Sequence, residues 1–167
     1  MKIKPSFFRY VAYSLLIVIL YVVEGTPNLL PELFGSKPLL LVPFALAVSA
    51  KEDYIPSLVF SAVCGGLTDI SSSSSIGFFA IILTLVCYLQ TDIFKKYIVE
   101  SFLSSTLYSI VSISVIICLY FLFFRLLYGT SDCFDLFVNH YISRIVYTCV
   151  MFVPLYFING FLYRRLR

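Results

Sequence analysis

The chain has 167 residues, of which 60% are hydrophobic, 18% aromatic and only 13% charged, with a formal net charge of +3. A water-soluble domain carries about 25% charged residues, and at a mean hydropathy of +0.98 a chain this short cannot hide its apolar surface from water. The bilayer is therefore its solvent, and the soluble classes, nucleic-acid-binding domains among them, drop out. The fold class expected is an all-α polytopic membrane protein forming one integral membrane domain over residues 1–167, with six apolar spans at 8–23, 38–50, 54–68, 76–89, 103–127 and 142–162.

The first span follows Lys2, Lys4 and Arg9, as the apolar core of a signal peptide would. The stretch is long, however, and Glu24-Gly25-Thr26-Pro27 makes a poor cleavage site, so a retained first helix is expected. Span two opens on Lys37-Pro38 and is short: a straight crossing needs about 20 residues. It borrows flanking residues or is partly re-entrant. Lys51-Glu52-Asp53 then makes a tight polar turn into span three. Pro38 and Pro56 fall in first turns, where a missing N–H costs little. Pro43 and Pro154 fall inside spans, where neighbouring helices re-satisfy the freed carbonyls.

Span three carries Ser57, Ser61 and Gly65 at every fourth position, with Ala62 and Gly66 beside them. That is a small-residue face for close helix packing. It ends in Gly65-Gly66-Leu67-Thr68-Asp69, followed by the serine run 71–75 and by Ile76-Gly77 at the start of span four. A carboxylate at the mouth of a membrane bundle is expensive and needs a partner or a purpose. Arg125 closes span five and Arg144 opens span six, at similar depth. The expectation is that one of them pairs with Asp69 and ties the corner between spans three and four to the hairpin of spans five and six. On span five Ser101, Ser105, Ser109 and Ser112 follow a helical period. Such a stripe turns inward, as helix–helix glue or as the wall of a polar cavity.

With an even number of spans both termini lie on one side. Lys2, Lys4, Arg9, Lys51, Lys95, Lys96, Arg164, Arg165 and Arg167 fall there, against Lys37, Arg125 and Arg144 on the other. The positive-inside rule makes that side cytoplasmic.

Catalytic chemistry is thin. His140 is the lone histidine, in the loop that also holds Asp132 and Asp135, and two loop carboxylates alone are weak metal ligands. No metalloprotease, nucleophile-elbow or P-loop motif occurs. Cys64, Cys87, Cys118 and Cys149 lie within apolar spans as packing residues, and Cys133 stands alone in its loop. No enzyme activity, metal or cofactor is expected.

From Lys37-Pro38 through the polar hairpin, the Gly65-to-Asp69 stretch, the serine turn and Ile76-Gly77, the sequence resembles the rod-shape-determining protein MreD family of bacteria. Lys37 stands where an arginine is usual in that family. The resemblance implies a fold similar to the substrate-binding subunits of energy-coupling-factor transporters. It also implies a non-enzymatic plasma-membrane component of the elongation complex, which sets cell shape through lateral peptidoglycan synthesis. The implied partners are MreC and, in the same complex, MreB, RodA and a class B penicillin-binding protein. Lys37, Pro38, Gly65, Gly66, Asp69, Gly77, Arg125 and Arg144 would be its interaction and structural residues. The alternative is a vitamin-capturing transporter subunit of the same size and span count. Against it, span one shows a single alanine in Phe8-Arg9-Tyr10-Val11-Ala12-Tyr13-Ser14-Leu15-Leu16, where such subunits resemble one another in an alanine-rich face. A membrane protease or lipid transferase would need intramembrane Glu/His clusters.

Overall fold

The computed structural model describes residues 5–26, 38–72, 77–96, 101–123 and 142–165. They form six helices: α1 (Pro5–Gly25), α2 (Leu41–Ser49), α3 (Tyr54–Ser72), α4 (Phe78–Lys96), α5 (Phe102–Phe121) and α6 (Ile142–Arg165). In hydrocarbon every backbone polar group must be satisfied within the protein, which a helix does for its interior residues. The chain is accordingly an all-α polytopic membrane bundle. Helix boundaries run past the apolar windows at several points: α3 continues through Asp69 to Ser72, α4 through Gln90 and Asp92 to Lys96, and α6 through Arg164 to Arg165.

Five helices are long and apolar enough to cross a membrane: α1, α3, α4, α5 and α6. The expected second span is the exception. Its helix, α2, has only 9 residues, about 13 Å of rise against a hydrocarbon core of about 30 Å. Every one of its residues is buried. A helix apolar on all sides belongs in a core, and α2 is that core, enclosed by α3, α4, α5 and α6 with α1 on its flank. It nonetheless joins the two ends of the bundle. Its N-terminus lies at Glu24 near the end of α1, and the turn after it lies at Arg9 near the start of α1. Arg9 and Glu24 are separated by roughly 22 Å along that helix.

A short buried helix has little interior. Nearly all its peptide groups count as terminal, and each terminal group needs an external partner. Neighbouring side chains supply them. Glu24 Oε2 accepts from Leu40 N–H at 3.0 Å and from Leu41 N–H at 3.3 Å. Leu39 N–H donates to Thr148 Oγ1 of α6 at 3.3 Å. At the other terminus Gln90 Nε2 of α4 donates to Leu46 O at 3.2 Å, and Thr91 Oγ1 lies 3.1 Å from Ser49 O. Lys51 and Glu52 N–H groups both donate to Val48 O at 3.0 Å.

Around α2 the helices α1, α3 and α5 start at one end of the bundle, and α4 and α6 finish there. Arg9, Lys51, Lys95, Lys96, Arg164 and Arg165 gather at one end, hereafter the basic end. Arg9 lies over the Tyr163 ring at 4.9 Å, and Lys51 over Tyr156 at 4.3 Å. Lys95 pairs with Asp53 and Lys96 with Asp92. The start of α1 and the close of α6 therefore share an end of the bundle, which is the arrangement an even number of traverses requires.

Candidate functional site

At the end opposite the basic one, the corner between α3 and α4 is built from the residues the sequence singles out. Ser57, Ser61 and Gly65 fall on the buried face of α3. At Gly65 the two helices come as close as backbones can: a Cβ there would sit 2.5 Å from Ala80 Cα and 2.7 Å from Phe79 O. That contact is backbone against backbone and cannot be relieved by a rotamer change. Gly66, one residue and about 100° further round the helix, would place a Cβ in open space. The two glycines are thus separated: Gly65 carries the close approach, and Gly66 and the exposed Ala62 do not.

One turn on, Asp69 is 4% exposed. Its carboxylate turns onto the first turn of α4. Oδ2 accepts from Gly77 N–H at 3.1 Å and Ala80 N–H at 3.0 Å, and Oδ1 from Phe79 N–H at 2.9 Å. An N-terminal turn leaves free N–H donors and a partial positive charge, which an anion stabilises. Asp69 supplies both from the preceding helix. Gly77 makes the geometry possible with φ +101°, where other L-residues are strained. This carboxylate therefore has three backbone donors as partners, a role the sequence reading did not foresee. Arg144, half-buried at the start of α6, has Glu24 within its electrostatic reach. Lys37, the segment 73–76 and Arg125 lie outside the described residues, as do Asp132, Cys133, Asp135 and His140. Pro38 is described and buried, and lies ahead of α2 and not in its first turn as expected, because that helix starts only at Leu41.

Two carboxylates at this end thus do the same work. Glu24 caps α2 as Asp69 caps α4. Glu24 carries a signal in its position that composition alone misses. An acid in the last turn of an apolar helix opposes that helix's own dipole, so it serves another helix.

The basic end holds another buried carboxylate. Glu52 is 5% and Arg9 9% exposed. Arg9 Nη2 donates to Glu52 Oε2 at 3.0 Å, Arg9 Nε lies 2.7 Å from Oε1, and the Tyr13 hydroxyl donates to Oε1 at 3.1 Å. Burial pushes the Glu52 carboxyl above its ordinary pKa, opposed by the Arg9 charge and the Tyr13 hydroxyl. The cluster ties α1 to the turn between α2 and α3. The sequence shows Arg9 as a topology marker only; its place inside an apolar stretch is the sign that it has a partner.

The serine stripe of α5 divides. Ser105, Ser109 and Ser112 are buried and Ser101 is exposed. The hydroxyls of Ser105 and Ser109, and both amide atoms of Asn159 on the neighbouring α6, are buried with no hydrogen-bond partner among the described residues. Cys64 and Cys87 are fully buried free thiols. Among the described residues no group of three or more His, Cys, Asp or Glu side chains could hold a metal ion.

Against family models, curated proteins and solved structures, the chain matches none.

Proposed function

We propose that the chain is a non-enzymatic membrane scaffold of the bacterial rod, or elongation, complex. It regulates cell shape through lateral peptidoglycan synthesis by binding MreC, alongside MreB, RodA and a class B penicillin-binding protein. It sits in the plasma membrane with both termini cytoplasmic, following the bias of basic residues. The observation that supports this reading is the meeting of Gly65, Asp69 and Gly77 in one rigid corner. These are the residues that carry the resemblance to MreD, and here they act as a unit. With Asp69 turned inward, the partner meets the surface beside it, where Ile70 is 63% exposed.

The test is affinity purification of the tagged chain from native membranes in mild detergent, with captured partners identified by mass spectrometry. Recovery of MreC with RodA or a penicillin-binding protein is the expected result. Ile70→Glu should reduce MreC recovery without lowering the melting temperature; unchanged recovery sinks this placement of the interface.

A second reading has one observation in its favour. The unpartnered Ser105, Ser109 and Asn159 lie on two helices packed against each other, and buried polar atoms usually have partners. A polar ligand among them would suit the substrate-binding subunit of an energy-coupling-factor vitamin transporter. Recovery of a coupling subunit with two ATPases would favour it over the scaffold.

A further inference from the structure

We propose that the groove between α1 and α3 at the basic end binds a phospholipid whose headgroup is a zwitterion with a primary ammonium. The groove encloses about 780 Å³, and its wall includes Tyr10, Ser14, Ile55, Val59 and Phe60 together with Asp53 and Lys95. Three features select this occupant.

The first is the mouth. Asp53 stands just ahead of α3 and Lys95 in the last turn of α4, and the two are ion-paired at the surface. The Asp53 side chain is 82% exposed. The pair engages Asp53 Oδ1, and Oδ2 has no partner among the described residues. Lys95 Nζ carries three N–H groups. One meets Oδ1, and the nitrogen lies 4.5 Å from the centre of the Tyr54 ring. What stays open is an acceptor and a donor side by side, on a pair with no net charge. A headgroup with an ammonium and a phosphate fills both, ammonium to Oδ2 and phosphate to Nζ. An anionic headgroup without an ammonium leaves Oδ2 facing a like charge. A trimethylammonium offers Oδ2 no N–H.

The second is the shape below the mouth. From Ile55 to Val59 the wall runs about 6 Å along α3 into the apolar part of the bundle. Both side chains are exposed. The Tyr10 and Phe60 rings back the groove, 6.0 Å apart between centres. On the α1 side Ser14 Oγ donates to Tyr10 O of its own helix at 2.9 Å. Ser14 therefore leaves room and asks for no polar partner. An acyl chain below a bound headgroup would cover these apolar walls.

The third is that the mouth is held in place. The Tyr54 hydroxyl donates to Asp92 Oδ1 at 3.0 Å, which fixes the ring beneath the lysine. Ser57 N–H donates to Asp53 O at 3.0 Å, which fixes the backbone that carries the carboxylate. Groups ordered before a ligand arrives lower the cost of binding it. This inference rests on membrane embedding and stands apart from the scaffold reading.

The experiment is native mass spectrometry of the purified chain from detergent micelles doped with phosphatidylethanolamine, phosphatidylcholine and phosphatidylglycerol of the same acyl chains at equal mole fraction. Phosphatidylethanolamine adducts should dominate. Asp53→Asn should lower them by about fivefold, the upper end for an exposed ion pair, and bring them level with phosphatidylcholine. Ser14→Phe, which keeps both charges and fills the groove, should lose most of them. Arg164→Gln, at the same end but outside this groove, should keep them. Equal retention of phosphatidylethanolamine and phosphatidylcholine by the parent chain, or dominance of phosphatidylglycerol, overturns the proposal. So does full retention by Asp53→Asn or Ser14→Phe, or equal loss in Arg164→Gln. A lipid-free two-chain species that Ser14→Phe abolishes would assign the groove to a second copy and overturn it as well. Thermal melting of each variant in the same detergent separates loss of lipid from loss of fold.

Discussion

Replacing Asp69 by alanine removes the acceptor for three N–H groups at once. The Phe79 N–H is buried and has no route to water; leaving such a donor orphaned costs about 1–3 kcal/mol. The Gly77 and Ala80 donors are part-buried and recover some of their loss from solvent, about 0.5 kcal/mol each remaining. The sum is about 3 kcal/mol, above the usual range for loss of a cap. In a chain of this length it corresponds to a fall of about 6–12 °C in melting temperature. Asp69→Asn keeps one acceptor oxygen and loses the charge, so about half that fall is expected. The fully buried Cys64 and Cys87 make a built-in reporter: a thiol-reactive dye labels them only on unfolding once Cys118, Cys133 and Cys149 are serine. The reasoning is refuted if Asp69→Ala melts within about 2 °C of the parent chain. It is also refuted if Arg144→Leu costs as much as Asp69→Ala and the double variant costs no more than either. Non-additivity of that kind would mark a coupled ion pair in place of a backbone cap.

Gly65→Ala should destabilise by about 1–3 kcal/mol, because its methyl forces two backbones apart. Gly66→Ala, with open space at the Cβ, should be neutral or mildly stabilising through helix propensity; the same dye-labelled melt checks both. Gly77→Ala imposes an L-side chain at φ +101° and should cost about 1–2 kcal/mol, read as a lowered melting temperature without loss of helical circular dichroism at low temperature. Arg9→Leu leaves Glu52 buried without its cation and should cost about 3–5 kcal/mol, whereas the double variant Arg9→Leu/Glu52→Leu should recover most of it; failure of the double variant to recover would show that the pair contributes more than mutual compensation.

The long helices were legible because hydropathy alone decides them: each is an unbroken apolar run bounded by charge or turn residues. The inward phase of Ser57, Ser61 and Gly65 was legible from their spacing of four. The role of Asp69 was half legible. An acid at that depth announces a partner, but a carboxylate satisfied by arginine and one satisfied by a helix start look alike in sequence. Only the placement of α4's first turn distinguishes them. Arg9 and Glu52 lie 43 positions apart, and no local pattern links them. The shortness of the second span was visible; its place at the centre was not, because burial on every side is a property of the neighbours.

The capping of α2 has a consequence for how the chain comes into the membrane. A nine-residue helix whose peptide groups lean on α1, α4 and α6 cannot enter lipid as an independent unit. Its partner Thr148 lies 109 positions beyond Leu39, so during synthesis the acceptor for that N–H is made long after α2 itself. Until α6 arrives, this centrepiece stays at the lipid–water boundary or in the shelter of the insertion machinery. The bundle closes around its own middle last.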